Sequence, residues 1–448
     1  MAGPKTSWLI AAGLGGFAAA WLAGHVALAW SAFALALLVF CLSTRLSLHW
    51  QILLGTLLGV AFGLWMGDAA DAMKNVGKLF IGLLKMLIAP LILLTIVHGV
   101  ASMGEARQIG RLGSRTVSLY LLTMVLAVGT GLVLVNLVQP GVGSELANSE
   151  FFRSAMGANA HAAAGPPALD VFLLETANQL VENPVSALAA GHILPIVAFA
   201  ILLGLALARL GPRAAAVTEF LSGASSAVLM IIGWFVRLAP VGIFALVGNL
   251  VATIGFRVVV ENLLAFSAVV IGGTLFHSLV VLPAMAWFMA GLSPRALFLG
   301  IFEALVVAFT TSSSAASLPV TIRCVEEGLG VPRHVSSFVL PLGATMNSDG
   351  TALYEAIAAI FIANVLGVEL GFGAQVVVFI VSIATAIGAP GIPSAGMVTM
   401  VVVLEAVGLP GEAVGILLTI DRFLDTFRTV ANVEGDAVVA AIVARQLG

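Results

Sequence analysis

The sequence predicts an all-α membrane protein that crosses the bilayer several times, and three observations support this fold class. The chain has 448 residues, of which 60% are hydrophobic and only 9% are charged, whereas soluble domains carry about 25% charged residues. Many apolar runs reach about 20 residues, the length that a helix needs to cross a hydrocarbon core of about 30 Å. The runs at 52–65 and 266–289 are continuous, unlike the alternating strands of a β-barrel.

Charge and cysteine content exclude other classes of protein. The formal net charge is −3 and no basic block is present, so nothing in the sequence indicates nucleic-acid binding. Cys41 and Cys324 lie far apart in or beside apolar segments, which favours two unpaired thiols over a disulfide or a metal site. Residues 1–8 precede an apolar stretch without a clear cleavage site, so we expect a retained membrane segment rather than a signal peptide.

The first two thirds of the chain consist of long apolar segments joined by short polar loops. Residues 8–42 are apolar but interrupted near residue 24, a pattern that fits one long helix or two short ones. Arginines cluster at 107–115 and at 209–213, and the positive-inside rule places both clusters in the cytoplasm. The polar loop at 142–167 is then expected on the opposite side. The predicted spans are 48–66, 79–100, 116–137, 193–210, 221–234, 241–254 and 263–290.

The last third, from about residue 297, has shorter apolar segments that Gly, Pro and hydroxyl residues interrupt. The interruptions are "TTSSSAASLPVT" at 310–321, "NSDGT" at 347–351 and "GAPGIPSAG" at 388–396. Irregular backbone is tolerated at membrane depth only where protein or a water-filled cavity satisfies it. This pattern predicts two re-entrant hairpins on either side of an unwound helix, meeting at a binding site near the middle of the membrane.

The final predicted helix, 420–443, carries a stripe of polar and charged residues. At about 100° per residue they all project within about 60° of Asp425. The opposite side is apolar and suits lipid or neighbouring helices. Each ionised group at membrane depth costs at least about 2.5–3.5 kcal/mol, so the stripe requires a partner or a polar cavity. Its members are Asp421, Asp425, Arg428, Thr429, Asn432 and Asp436.

Two groups of charged residues suggest specific chemistry. Asp425 suits an ammonium group and Arg428 suits a carboxylate, so together they could hold a zwitterionic dicarboxylate; alternatively they only neutralise each other as an i,i+3 pair. Asp349 and Asp436 suit a hard cation, because a broken helix exposes carbonyl oxygens as further ligands. Asp349 has a simpler alternative role, in which it caps a helix kink through nearby amides.

Hydroxyl and histidine residues are more ambiguous. The serine run at 312–314 could line a binding site or cap a helix start, and the two roles are compatible. It lacks a partner for nucleophilic catalysis, since the nearest histidine is His334. We interpret His98, His192 and His277 as core residues. The spacing of Gly55 and Gly59 predicts a contact between helices.

Four motifs in order resemble those of one family. They are "TSSSAASLPVT", "LPLGATMNSDGTALYEAIAAIFIANVLG", "GAPGIPSAGMVTM" and "DRFLDTFRTVANVEGD". The chain from about residue 48 onward resembles the dicarboxylate/amino acid:cation symporters, the family of glutamate and aspartate transporters, which act in the cell membrane. The resemblance implies eight transmembrane helices plus two re-entrant hairpins, inverted repeats, a homotrimer, and an elevator mechanism. It implies an N-terminal hydrophobic extension (1–47), a mainly scaffold region (48–290, with 70–138 partly in the transport domain) and a transport-domain core (291–448).

By the same resemblance, Asp425 binds the amino group of an acidic amino acid, Arg428 binds its side-chain carboxylate, and the tip of the second hairpin is the gate. The other implied substrate-binding residues are Ser312, Ser313, Ser314, Thr351, Ile392, Gly396, Thr429 and Asn432. Sodium, the implied coupling ion, is bound in three sets. The first set contains Gly343, Asn347, Asn432 and Asp436. The second contains Tyr120, Thr123, Asn347 and Asp349, and the third contains Thr345, Ser348, Ala386, Ile387 and Ala389.

The chain also departs from the family pattern. Ser348 replaces a usual methionine, Met124 replaces a hydroxyl residue, and Ala315 replaces a third aligned hydroxyl. Ser312 and Thr426 occupy the two positions at which members place an additional arginine. Relatives that use protons or carry succinate-like dicarboxylates tend to lack one or both of the aspartates at 425 and 436, so we expect sodium and an amino acid.

Three alternatives differ in mechanism. A proton-coupled C4-dicarboxylate symporter belongs to the same family. An intramembrane aspartyl protease would use Asp349 and Asp436 as a dyad, although "VEGD" lacks the "GxGD" signature of that class. An anion channel would account for a basic residue in a polar pathway.

Overall fold

The computed structural model describes residues 48–66, 71–108, 110–148, 178, 181–190, 192–388 and 395–447. These residues are almost entirely helical, and no β-strand occurs among them. The predicted N-terminal extension, Cys41 and most of the predicted loop at 142–167 lie outside the described residues.

Seven α-helices occur in the described residues up to Ile254. Gly255, at φ +97°, separates them from the rest and takes a backbone conformation that favours glycine. The helices are α1 (Leu48–Met66), α2 (Asp71–Gln108), α3 (Arg111–Val138), α4 (Pro184–Ala190), α5 (Ile193–Leu210), α6 (Ala215–Val236) and α7 (Ala239–Ile254).

Nine helices follow. A π-helical turn, His277–Val281, joins the first two of them into one continuous stretch. They are α8 (Phe256–Phe276), α9 (Leu282–Ala290), α10 (Pro294–Thr311), α11 (Ser314–Arg323), α12 (Arg333–Met346), α13 (Asp349–Leu366), α14 (Phe372–Gly388), α15 (Ala395–Ala406) and α16 (Val414–Leu447).

Several helices are longer than the apolar pattern predicts. The predicted span at 79–100 lies inside α2, which continues through Pro90. The final helix was predicted from residue 420, and this start was wrong. It begins at Val414, directly after a 3₁₀ turn at Gly411–Ala413, because the run at 414–419 contains no proline.

Five helical stretches among the described residues are long and apolar enough to cross a membrane. Shorter apolar helices cover Trp50–Trp65, Ala89–Ala101, Ala239–Ile254 and Phe372–Ile387. The prediction of several membrane-spanning helices is therefore confirmed. The five stretches are Arg111–Val138, Pro195–Phe235, Phe256–Ala290, Pro294–Thr311 and Arg333–Leu366.

Glycines allow α1 to pack closely against α7. A Cβ atom added at Gly59 would lie 2.7 Å from the carbonyl oxygen of Phe244, and one at Gly63 would lie 2.5 Å from that of Gly248. Gly55 meets Pro240 in the same way. The predicted helix–helix contact at Gly55 and Gly59 is confirmed, and it follows the small-residue packing that is common between membrane helices.

The described residues of the last third contain two pairs of helices packed against each other and one broken helix; the connection between the arms of the second pair lies outside the described residues. Helices α10 and α11 pack together around Ser312 and Ser313, and α14 packs against α15. The break between α12 and α13 falls at Asn347 and Ser348. Helix α16 packs against α3, α8, α9, α10, α12 and α13. It is therefore the central element around which the candidate site is built.

Candidate functional site

The charged stripe of α16 is buried and forms an ionic cluster. Nη2 of Arg428 donates hydrogen bonds to Oδ1 of Asp421 and Oδ1 of Asp425, both at 2.7 Å. Arg428 has no exposed surface, and its guanidinium carbon lies 4.0 Å from the centroid of the Tyr354 ring. The i,i+3 pair is therefore present, but it belongs to a larger arrangement that also includes Asp421 and an aromatic face.

A second arginine joins this cluster, and the sequence analysis missed it. Nη1 of Arg422 donates to Oδ2 of Asp425 at 3.2 Å, and the Arg422 side chain is 8% exposed. Arg422 precedes Asp425 by three residues and projects about 60° from it on a helical wheel. Counting charged residues within one turn of Asp425 on both sides would have found it.

The remaining polar residues of the stripe connect α16 to the broken helix. The backbone N–H of Gly350 donates to Oδ1 of Asn432 at 2.8 Å, and the Thr429 hydroxyl donates to the Asp425 carbonyl at 2.8 Å. A Cβ atom at Gly350 would lie 2.6 Å from Cα of Arg428. Only a glycine allows the break in "NSDGT" to approach the arginine so closely.

The second hairpin also reaches the ionic cluster. A Cβ atom at Gly396, in α15, would lie 3.1 Å from Cγ2 of Thr351 and 3.3 Å from Nη1 of Arg428. Thr351 is itself buried. The structure therefore brings Gly396, Thr351 and Arg428 together, as predicted, while Ile392 lies outside the described residues.

The serine run of the first hairpin is buried and forms the turn between its arms. Ser312 has a left-handed backbone (φ 49°), and the Ser313 hydroxyl accepts a hydrogen bond from the N–H of Ala316 at 3.2 Å. The capping role is therefore confirmed, and Ser314 begins α11. Phe309 packs edge-on against Phe427 of α16, with ring centroids 5.4 Å apart. The first hairpin therefore packs against the helix that carries the ionic cluster.

Oxygen-bearing residues from three helices converge beside Asp436. Nδ2 of Asn347 donates to Oδ1 of Asp436 at 3.1 Å, and the Thr123 hydroxyl donates to Oδ1 of Asn347 at 3.3 Å. Gly343 approaches both Tyr120 and Asp436 so closely that a Cβ atom there would collide with them. Members of the first two predicted sodium sets therefore form one neighbourhood. Carboxylate, amide and carbonyl oxygens suit a hard cation.

Asp349 faces a histidine rather than a set of backbone amides. Its Oδ2 lies 3.4 Å from Nε2 of His277, and both side chains are fully buried. Its other carboxylate oxygen has no hydrogen-bond partner among the described residues. The simple capping role is therefore not observed, and His277, interpreted above as a core residue, is part of the polar interior. Glu434 is fully buried and close enough to interact electrostatically with Asp349.

The third predicted sodium set is less compact. Ser348, Ala386 and Ile387 are buried, but the Thr345 side chain is exposed and its hydroxyl bonds to the Leu342 carbonyl. Helices α12 and α14 are in contact. Ala389 lies outside the described residues. No group of three or more His, Cys, Asp or Glu side chains suited to a metal occurs in the described part of the chain.

Glu355 is a further buried acid that the sequence analysis overlooked. Its carboxylate accepts a hydrogen bond from Thr385 of α14 at 2.7 Å and another from Thr399 of α15. Tyr354, the residue before it, donates to the sulfur of Met397 at 3.2 Å. Helix α13 therefore holds both arms of the second hairpin. The available signal was a carboxylate in an otherwise apolar helix.

Comparison with known proteins identifies the family. A family model described as the sodium:dicarboxylate symporter family matches residues 48–446. The chain therefore belongs to the sodium:dicarboxylate symporter family. It is 35% identical to an excitatory amino acid transporter of Caenorhabditis elegans, over 82% of this chain and 80% of the relative. It is also 33% identical to excitatory amino acid transporter 3 of Mus musculus, over 88% of this chain and 85% of the relative.

Membership of the symporter family decides the broad class of activity. The chain is a multi-pass membrane transporter and not an enzyme, so the intramembrane protease alternative is wrong. A further relative, at 34% identity over 86% of this chain and 77% of its own length, is the neutral amino acid transporter B(0) of Bos taurus. Relatives at this level of similarity therefore differ in the substrates that their names state.

Proposed function

We propose that this symporter carries L-aspartate or L-glutamate into the cell together with sodium ions. The observation that supports this most directly is the placement of Asp425 and Arg428 on one buried stripe of α16. Opposite charges three residues apart match the ammonium group and the side-chain carboxylate of an acidic amino acid.

In this proposal each residue near the stripe has a defined role. Asp425 binds the ammonium group, and Arg428 binds the distal carboxylate through its planar guanidinium fork. Thr351, Thr429, Asn432 and the serines at 312–314 bind the remaining polar atoms, while Ile392 and Gly396 cover the substrate from the second hairpin. Tyr354 keeps the Arg428 guanidinium oriented through its ring face, 4.0 Å away.

Sodium binding is proposed beside Asp436 and Asp349. Hard monovalent cations are held by oxygen atoms, and the break at Asn347 and Ser348 exposes carbonyls that a continuous helix would use internally. The charge of the bound cations offsets the buried carboxylates of Asp436 and Asp349, of which Asp349 also faces His277 at 3.4 Å. This coupling explains why the acids are retained in an apolar chain.

The family resemblance supports an elevator mechanism in a homotrimer. Residues 48–290 then supply mainly the scaffold and the trimer contacts, with 70–138 partly in the transport domain, and residues 291–448 form the transport-domain core. The proposed architecture has eight transmembrane helices and two re-entrant hairpins, and the long apolar helices among the described residues support it. In this arrangement α16 moves with the substrate, because the ionic cluster is part of the transport domain.

The second candidate is proton-coupled symport of a C4-dicarboxylate that lacks an amino group. Asp425 and Asp436 are both present, both buried, and both placed beside other predicted site residues. An amine-free dicarboxylate has no ammonium group for Asp425. This argument favours sodium and an amino acid.

The experiment that tests the proposal is uptake of radiolabelled L-aspartate into proteoliposomes that contain the purified protein. Gradients of sodium, potassium and protons are imposed one at a time. The proposal predicts accumulation with an inward sodium gradient and none with the other two. Accumulation of succinate, but not of aspartate, under a proton gradient would support the second candidate instead.

A further inference from the structure

Arg422 is a buried arginine to which neither the family resemblance nor the proposed function assigns a role. Its side chain is 8% exposed, and its Nη1 donates to Oδ2 of Asp425 at 3.2 Å. Arg428 contacts the other oxygen of the same carboxylate, at 2.7 Å. Both oxygens of the proposed amine-binding residue are therefore already engaged by guanidinium groups.

A substrate ammonium group must therefore compete for this carboxylate. Asp421, Asp425, Arg422 and Arg428 together have a formal charge of zero. An ammonium group that bound Asp425 with both guanidiniums still in place would bring three cationic groups around one carboxylate, and their mutual repulsion in a medium of low dielectric constant opposes binding. Withdrawal of one arginine from Asp425 when the amine binds would relieve this repulsion.

The geometry identifies Arg422 as the arginine that withdraws. Arg428 has no exposed surface, and without Asp425 it still keeps Asp421 at 2.7 Å and the Tyr354 ring at 4.0 Å. Arg422 makes the longer of the two contacts with Asp425, and its side chain is the more exposed of the two arginines. Moving Arg422 removes its contact with Oδ2 of Asp425 and leaves the group proposed to bind the distal carboxylate in place.

We propose that Arg422 occupies Asp425 in the substrate-free protein, is displaced by the substrate's ammonium group, and so sets the affinity for amine-bearing ligands. This inference rests on the proposed function, because it takes Asp425 as the amine-binding residue. Arg422 is in this sense a specificity-determining residue. Because it competes with the ammonium group for Asp425, Arg422 lowers the affinity for every amino acid. Dicarboxylates without an amine do not compete with Arg422 for Asp425.

Arg422→Gln tests this role through three ligands. Loss of a positive charge by itself weakens the binding of anionic ligands. An increase in affinity for a neutral amino acid would therefore indicate that Arg422 no longer competes with the ligand's ammonium group for Asp425. The measurement is inhibition of sodium-driven L-aspartate uptake into proteoliposomes by L-serine and by succinate. We expect the inhibition constant of L-serine to fall roughly tenfold, which corresponds to about 1.4 kcal/mol. That of succinate should stay constant or rise.

Two further variants control for folding and for net charge. Arg422→Lys keeps the charge but not the fork, so its L-serine inhibition constant should lie between those of the wild type and Arg422→Gln. It also provides a test if Arg422→Gln does not fold. Arg445→Gln removes an equal charge at the exposed end of the same helix, and it should behave as the wild type.

The outcomes separate this inference from the proposed function. The inference is overturned if the inhibition constant of L-serine is unchanged or higher in Arg422→Gln. It is also overturned if L-serine inhibits neither protein. An equal gain for succinate overturns it as well, because succinate has no ammonium group. If the wild type takes up no L-aspartate under a sodium gradient, the proposed function itself is contradicted.

Discussion

Replacing Arg428 by alanine should remove two different contributions, and the structure allows them to be separated. Arg428 is fully buried and bridges Asp421 and Asp425, both at 2.7 Å. Its removal leaves two buried carboxylates with one remaining guanidinium, that of Arg422. Breaking a buried ion pair by removing one partner costs about 3–5 kcal/mol. We expect Arg428→Ala to be destabilised by an amount in this range and to take up no acidic amino acid.

The double variant Arg428→Ala with Asp421→Asn distinguishes the structural loss from the functional loss. It has one buried aspartate and one buried arginine, so the cluster is neutral again and most of the lost stability should return. Uptake of L-aspartate should not return, because the group proposed to bind the distal carboxylate is still absent. The assays are thermal unfolding in detergent at a fixed heating rate and uptake into proteoliposomes.

Two results would refute this reasoning. If Arg428→Ala unfolds at the wild-type temperature, the two aspartates are not left uncompensated in a buried environment. If the neutral double variant transports L-aspartate with wild-type affinity, Arg428 does not bind the substrate carboxylate, and its contacts with Asp421 and Asp425 are structural alone.

Three further predictions concern packing and cation binding. Gly350→Ala should abolish L-aspartate binding, because the added methyl group would collide with the α16 backbone. Gly272→Ala is the control and should bind normally, since no atom lies within 4 Å of its new methyl group. Equal binding by both variants would contradict the close approach of Gly350 to α16. Asp436→Asn should raise the sodium concentration for half-maximal uptake by roughly tenfold or more, since the carboxylate beside Asn347 is lost. An unchanged sodium dependence would show that Asp436 does not bind the coupling cation. Gly59→Val should destabilise the protein by about 1–3 kcal/mol through overpacking against α7, measured by thermal unfolding, and a wild-type unfolding temperature would argue against that contact.

The sequence was sufficient for the parts of the fold that depend on patterns along one segment. Continuous apolar runs predicted the spans, and α1 and α5 have the bounds that the pattern predicts. Interruptions by glycine, proline and serine predicted the turn at 312–313 and the break at 347–348. These features depend on local backbone chemistry, which a single sequence records directly.

Contacts between distant segments could not be predicted in the same way. Both arms of the second hairpin bond to Glu355, and His277 faces Asp349 across 72 positions of sequence. Neither residue lies in the polar stripe that was predicted on the final helix. Which neighbour such a residue meets is decided by the packing of helices, and no period within one segment contains that information.

Arg422 shows a third case, in which the local pattern was informative but was applied too narrowly. The stripe was defined around Asp425 and included Asp421, four residues before it, but it left out Arg422. The residue three positions before Asp425 is equally a neighbour on an α-helix. A symmetric search of both adjacent turns would have predicted the pair that the structure shows at 3.2 Å.

Sodium-dependent binding of L-aspartate to the purified wild-type protein is the most direct test of the central claim, which is that a buried ionic stripe on α16 is completed by an acidic amino acid and its cations. Equilibrium binding of radiolabelled L-aspartate is measured in sodium chloride and in potassium chloride of equal ionic strength. We predict saturable binding in sodium and none in potassium. Binding of equal affinity in both salts, or none in either, would contradict the claim.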